Sequence, residues 1–202
     1  MENELTPQDK QRIAESIRQK YLKAAASPEG LFRYPTGRAG LEALDYAPDM
    51  VRDLPEAVAA SYCGVGNPFI LGPIHEGEAI LDIGCGAGVD SIIAARLVGP
   101  SGAVTGIDLV PEMLARAREN GRLAGLANVT FLESSAERLP FPDSSFDLVI
   151  SNGVFSLVVD KVKALGEVFR VLKPAGRLWL ADEVLAGELP KEIKTLIESW
   201  AR

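Results

Sequence analysis

"ILDIGCGAGVD", Ile80–Asp90, places three glycines within five positions directly behind a short apolar run. The run Ala79–Ile83 reads as a buried strand, because an unbroken apolar segment of this length suits a parallel sheet covered on both faces. The residues that follow, Asp90–Leu97, carry a helical period. Strand, glycine turn and helix together open a nucleotide-binding βαβ unit.

The same alternation continues downstream. Strands are expected at 79–83, 103–107, 128–132, 146–151 and 176–182, and helices at 89–98, 111–124, 160–172 and 190–201. Pro111 and Pro190 suit first helical turns, where a missing N–H costs little. Gly99 and Gly125 suit helix ends. Short turns between alternating units imply a Rossmann-like, doubly wound α/β sheet, mostly parallel. Upstream, Pro7–Ala26 reads as an amphipathic helix with Ile13, Ile17, Tyr21 and Leu22 on one side. Residues 27–49 read as loop, broken by Pro28, Gly30, Pro35, Gly37, Gly40 and Pro48. A shorter helix is expected over 49–60, and "SYCGVGNPF", Ser61–Phe69, is a second glycine-rich loop. The chain divides into helices and loops at 1–77, a substrate-side cap, and a Rossmann-like domain at 78–202.

Composition narrows the partners. The chain has 202 residues, 47% of them hydrophobic, which suits one well-buried domain with an N-terminal elaboration. Its net charge is −7 and it has no dense Lys/Arg run, so nucleic acid is not an expected partner. No apolar stretch approaches the roughly 18 residues of a membrane span, so no membrane association is expected. The polar start, MENELTPQDKQR, lacks the apolar centre of a signal peptide. Cys63 and Cys85 are the only cysteines, and Cys85 sits inside the glycine turn, which argues against a disulfide framework and for a reducing cytoplasm.

The spacing of the turn discriminates among nucleotides. Gly84, Gly86 and Gly88 run Gly-x-Gly-x-Gly, and Val89 stands where a dinucleotide loop needs its third small residue. No phosphate-binding Lys follows, so the turn is not a P-loop. An NAD-dependent oxidoreductase is disfavoured further by the lack of a Tyr-x-x-x-Lys pair. Asp108 ends "AVTGID" roughly 20 residues beyond the last glycine, where a carboxylate can accept ribose hydroxyls; it could equally cap the helix that starts at Pro111. Asp82 is an acid at the end of an apolar strand, costly unless a cation or backbone N–H groups accompany it. Asp90, at a helix N-terminus, is already explained by the helix dipole.

The turn resembles the "DxGxGxG" loop of class I S-adenosylmethionine (SAM) methyltransferases. "SSAERLPFPDSSFDLVISN", Ser134–Asn152, and "EVFRVLKPAGRLWLAD", Glu167–Asp182, resemble the ubiquinone-biosynthesis-like members. That resemblance implies SAM as cofactor and S-adenosylhomocysteine as product, with Ala136 and Glu137 flanking the adenine. The full cofactor set that it implies is Asp82, Gly84, Cys85, Gly86, Gly88, Asp108, Leu109, Met113, Ala136, Glu137, Ser151 and Asn152. No metal is implied.

"SYCGVGNP", "MLARAREN" and "VISNGVFSLVVDK" are similar to arsenite methyltransferases, a resemblance that runs from near Tyr21 to the chain end. In those enzymes cysteine thiolates hold As(III) beside the SAM methyl. Cys63 matches the first cysteine of their loop motif, but Val65 and Gly153 stand at two of the other cysteine positions. Capture of arsenic needs at least two converging sulfurs, and this chain offers Cys63 plus the loop-bound Cys85. The expected function is therefore SAM-dependent methylation of another small-molecule acceptor. Arsenite methylation and a SAM-binding subunit dependent on a partner chain are the alternatives. Tyr21, Tyr34, Cys63, Asn152 and Phe155 are substrate-side candidates by position; no general base stands out, and His75 falls in a surface turn. The family's antiparallel C-terminal hairpin is expected to be missing after strand 176–182. That strand, with Leu178, Trp179 and Leu180, is expected to lie open and to pair with a second copy or a partner chain.

Overall fold

The computed structural model describes residues 6–184. Its elements are α1 (Pro7–Ala26), α2 (Gly37–Ala43), α3 (Pro48–Val51), α4 (Glu56–Ala59), a 3-10 turn at Pro68–Leu71, β1 (Ala79–Ile83), α5 (Val89–Leu97), β2 (Ala103–Asp108), α6 (Pro111–Leu123), β3 (Val129–Glu133), β4 (Phe146–Asn152), α7 (Lys161–Val171) and β5 (Leu172–Ala181). The strands form one sheet in the order β3-β2-β1-β4-β5, and every pairing is parallel. The order reverses between β1 and β4, so the C-terminal ends of those two strands flank a crevice of the kind that holds ligands in open α/β sheets. The expected helix 190–201 lies outside the described residues.

Alternating side chains of β1 feed two separate cores. Ile80 packs on one face with Leu148, Ile150, Ile92 of α5 and a set from the N-terminal segment: Leu41, Tyr46, Val58, Tyr62 and Phe69. Leu81 and Ile83 pack on the other face with Val149 and with Ala164, Val168 and Val171 of α7. Sheet and N-terminal segment thus share one core.

Local chemistry explains where the sequence reading and the fold part. A capping box starts α1: Thr6 Oγ1 accepts the Asp9 N–H at 3.2 Å while Asp9 Oδ2 accepts the Thr6 N–H at 3.0 Å. Its buried residues are Ile13 and Ala24, whereas Leu22 is 37% exposed. The inward stripe runs Ile13, Ile17, Tyr21, Ala24, and Leu22 falls one residue off it. Helix α2 forms where a loop was expected. The Gly37 N–H donates to the Tyr62 carbonyl at 2.7 Å, and Leu41 is fully buried. That tertiary anchorage outweighs two glycines, each costing about 1 kcal/mol in a helix. The expected helix at 49–60 is instead two single turns, because Pro55 lacks a donor and pushes Leu54 out of helical geometry.

Strand β5 begins earlier than expected. Leu172 pairs with Phe146, the chain then bulges through Lys173–Gly176, and regular pairing resumes at Arg177 opposite Leu148. Trp179, expected to lie bare, is 5% exposed and packed into the N-terminal core beside Gly72. Leu180 is 40% exposed, and among the described residues no strand pairs with the outer edge of β5.

Candidate active site

The glycine turn leaves β1 with three left-handed residues, Gly84 (φ 69°), Gly86 (φ 53°) and Gly88 (φ 80°). Two of them also lack room. A Cβ on Gly88 would stand 2.8 Å from Phe131 Cζ, and one on Gly84 would overlap the Val154 side chain. The turn is pinned to β2: the Cys85 N–H donates to the Ile107 carbonyl at 2.9 Å, and the Gly86 N–H donates to Asp108 Oδ2 at 2.9 Å. Asp108 Oδ1 accepts the Val110 N–H at 2.8 Å, just ahead of α6. One carboxylate therefore braces the turn and leads in the next helix, and it lines the adjoining cavity.

That cavity has a volume of about 440 Å³, within the range typical of small-molecule sites. It is bounded by the turn, the end of β2, Ser134–Glu137, the stretch after β4, the Ser61–Gly64 loop and one face of α1. Loop 134–143 is held from α7: Glu167 Oε2 accepts the Leu139 N–H at 2.7 Å, and Arg170 donates to the carbonyls of Leu139 (3.0 Å) and Phe141 (2.7 Å). The co-occurrence of "AERLPF" and "EVFR" in the sequence is explained by this clamp. The Arg170 guanidinium beside Glu167 holds its carboxyl down at about 2.

The cavity gathers Asp82, Gly84, Cys85, Gly86, Asp108, Leu109, Ala136, Glu137 and Asn152 from the cofactor candidates, and Tyr21 and Cys63 from the substrate-side candidates. Five candidates stand outside its lining. Gly88 caps α5. Met113 is fully buried beneath Gly86, packed with Ala24 and Val110. The buried Ser151 hydroxyl donates to the Ile83 carbonyl at 3.0 Å across the sheet. Tyr34 supports the loop from behind, its hydroxyl donating to the Cys63 carbonyl at 3.2 Å. Phe155 belongs to the α7-side core.

Sequence reasoning missed the α1 contributions (Gln11, Ile17 and Arg18) and above all Asp90, which lines the cavity and is 8% exposed. Asp90 accepts from the Tyr46 hydroxyl at 2.7 Å and from Asn152 Nδ2 at 2.9 Å. Its place at a helix start made the dipole a sufficient explanation, and nothing local pointed to Tyr46, 44 residues upstream.

The floor of the cavity is acidic. Asp82 is buried, and the Ser91 hydroxyl donates to its Oδ2 at 2.5 Å. Burial, reinforced by the Asp90 charge, pushes its carboxyl up to about 8. Burial also pushes Asp90 up to about 6, against the hydrogen bonds from Asn152 and Tyr46. Asp108 is raised by burial and partly restored by N–H groups of Val110 and Gly86. Burial pushes the Cys63 thiol up to about 12, so at neutral pH it is a thiol and not a thiolate. Among the described lining residues Arg18, on α1, is the one cation. A site with this many carboxyls and so little compensation fits a cationic ligand.

Because Asp82 and Asp90 titrate higher folded than unfolded, each adds stability at low pH that is lost as pH rises, Asp90 through about 6 and Asp82 through about 8. The depressed Glu167 acts in the opposite sense, but only well below that window. The ligand-free chain is therefore expected to lose stability between about pH 5 and about pH 8.5. Asp82→Asn, uncharged throughout, should flatten the upper part of the profile by at least about 1 kcal/mol. Urea unfolding across that range measures it; a wild-type profile as flat as the variant's would refute the assignment.

Comparison with known proteins agrees with this geometry. Residues 74–201 match the methyltransferase-domain family. An arsenite methyltransferase of Halobacterium salinarum is 32% identical over 96% of this chain and 53% of its own. The ubiquinone/menaquinone biosynthesis C-methyltransferase of Pasteurella multocida is 45% identical over 54% of this chain and 41% of its own. The crystal structure of an arsenic(III) S-adenosylmethionine methyltransferase from Chlamydomonas reinhardtii superposes with a TM-score of 0.61 at 36% identity, covering 81% of this chain and 54% of that one. The chain spans about half the length of the curated relatives it matches. With its match running over residues 74–201, more than half of the chain, this protein belongs to the methyltransferase-domain family.

Proposed function

We propose that the chain is a SAM-dependent methyltransferase, or the cofactor-binding part of one, acting on a small-molecule acceptor. The observation that carries this reading is the turn Gly84–Gly88 braced by Asp108 over an acid-floored cavity. Asp82 and Asp90 would face the positive charge of the cofactor, Asp108 its ribose, and Leu109, Ala136 and Glu137 its adenine. The bound cofactor supplies an already activated methyl group. The protein's task is then orientation and exclusion of water more than acid–base chemistry. Residues 1–77 act as the acceptor-side cap on the SAM-binding domain at 78–202, with Tyr21 and Cys63 contributing to its wall. Among the described residues no helix is long and apolar enough to cross a membrane. The two free cysteines, Cys63 and Cys85, support a reducing cytoplasm as the protein's location.

The test is calorimetry with SAM. Binding is expected at the ends of β1 and β2. Asp108→Ala should cost about 1.5–3 kcal/mol, the scale of hydrogen bonds to a charged group. Unchanged SAM affinity in that variant would sink the ribose assignment.

Arsenite methylation is the second reading, favoured by the Halobacterium salinarum relative. Against it stand Val65 and Gly153, where the arsenite family has cysteines. The two positions adjoin: a Cβ on Gly153 would lie 3.2 Å from Val65 Cγ1 and 3.8 Å from Val65 Cβ. We therefore expect no efficient production of methylarsenicals by the wild-type chain. Val65→Cys combined with Gly153→Cys should raise arsenite affinity far more than either change alone, because the second sulfur then binds intramolecularly. The gain will be reduced by strain at position 153, where φ is +74°. Efficient methylation of arsenite by the unaltered chain would overturn this choice of acceptor.

The outer edge of β5, with which no strand pairs among the described residues, and Leu180 beside it support a further proposal: an additional strand, from a second copy or a partner chain, completes the sheet there. Light scattering of the full chain decides between association and a monomer; a monomer at high concentration would count against it.

A further inference from the structure

The loop Ser61–Gly66 faces the cavity through Cys63 and Gly64, and it is tethered at both of its ends. At one end, fully buried Asn120 of α6 donates through Nδ2 to Ser61 Oγ at 2.8 Å and to the Ala87 carbonyl of the glycine turn, also at 2.8 Å. At the other, Asn152 Oδ1 accepts the N–H groups of Val65 (2.9 Å) and Gly66 (3.1 Å), while its Nδ2 donates to the Gly66 carbonyl at 2.7 Å and to Asp90 Oδ2 at 2.9 Å. Tyr46 donates to the second Asp90 oxygen at 2.7 Å. The Tyr62 hydroxyl has the Tyr46 oxygen at 3.1 Å and the Gly66 carbonyl at 2.9 Å as acceptors.

The protons of this network can be counted. Tyr46 and Tyr62 offer one each and the Asn152 amide two. The acceptors are the two Asp90 oxygens, the Gly66 carbonyl and the Tyr46 oxygen. With an ionised Asp90 every proton has an acceptor and none collides. The network joins four segments far apart in sequence, and its hub, Asp90, lies in the first turn of α5, immediately behind the cofactor turn.

We infer that Asp90 is a positioning residue: acting through Asn152 and Tyr46, it fixes the backbone of Ser61–Gly66 as a preformed acceptor-side wall in register with the glycine turn. The name acceptor-side rests on the methyltransferase reading; the tether itself does not. A glycine-rich loop left untethered samples many backbone states. A displacement of only about 1 Å at a reacting centre can cost on the order of a hundredfold in rate. A charged hub suits this task because its hydrogen bonds are stronger and shorter than neutral ones.

Amide hydrogen exchange at Val65 and Gly66 tests the inference in the full chain without any ligand. Asp90→Ala should lower protection at both amides by about tenfold or more, while the β1 amides keep theirs. Asp90→Asn, which retains one acceptor oxygen, should recover part of the loss. Tyr46→Phe should give a partial loss alone and add nothing on top of Asp90→Ala, since its proton then has no charged acceptor. Unchanged protection at Val65 and Gly66 in Asp90→Ala would overturn the inference. So would an equal loss across β1, or simple additivity in the double variant. If Asp90→Ala fails to fold, Tyr46→Phe and Asp90→Asn carry the same comparison. Failure of the wild-type chain to bind S-adenosylhomocysteine would instead strike the cofactor reading, so the two ideas fail separately.

Discussion

Between Ile83 and Val89 the chain must reverse from strand to helix in a space where Phe131 and Val154 leave no room for side chains at Gly88 and Gly84. That steric constraint organises the rest of the molecule. The turn takes left-handed backbone at three alternate positions, a conformation that L-residues with side chains rarely adopt. It leaves the Gly86 N–H facing Asp108, and it sets α5 down so that Asp90 and Ser91 arrive beneath the cavity. Asp82 is tolerated at the end of an apolar strand because the same turn delivers the Ser91 hydroxyl to it.

Acidity follows from this geometry and is the main electrostatic feature of the site. Three carboxyls share a small, largely buried floor, and burial raises all three. Ligand-free, the site loses stability as these carboxyls ionise with rising pH. Buried carboxyls with raised pKa gathered in one cleft mark it as the candidate binding site.

The N-terminal segment is part of the domain's core as much as a cover over it. Tyr46, Tyr62 and Phe69 pack with Ile80 and Trp179, and the hydroxyls of the two tyrosines reach the site, Tyr46 through Asp90 and Tyr62 through Asn152. Burial and site positioning come from the same tyrosines, so a change in one disturbs the other. Val65 stands where it would meet a side chain at position 153, so these two positions adjoin.

The sequence alone determined the βα alternation, the glycine turn, the acid that ends β2 and the family resemblance. These are short-range patterns in which strand, turn and helix are each written in fewer than about fifteen consecutive residues. Helix α2 was illegible because its glycines argue against it locally and only Leu41 burial and the Gly37–Tyr62 hydrogen bond override them. Met113, Ser151 and Phe155 sit close in sequence to residues that line the cavity, but their side chains point into the packing behind it. Asp90 looked sufficient as a helix-dipole partner. Its second role needs Tyr46 from 44 residues upstream and Asn152 from 62 residues downstream, brought together by the sheet order. Backbone turns are local, so the sequence spells them; buried polar networks close over long distances, so only the tertiary structure reveals which donors meet which charge.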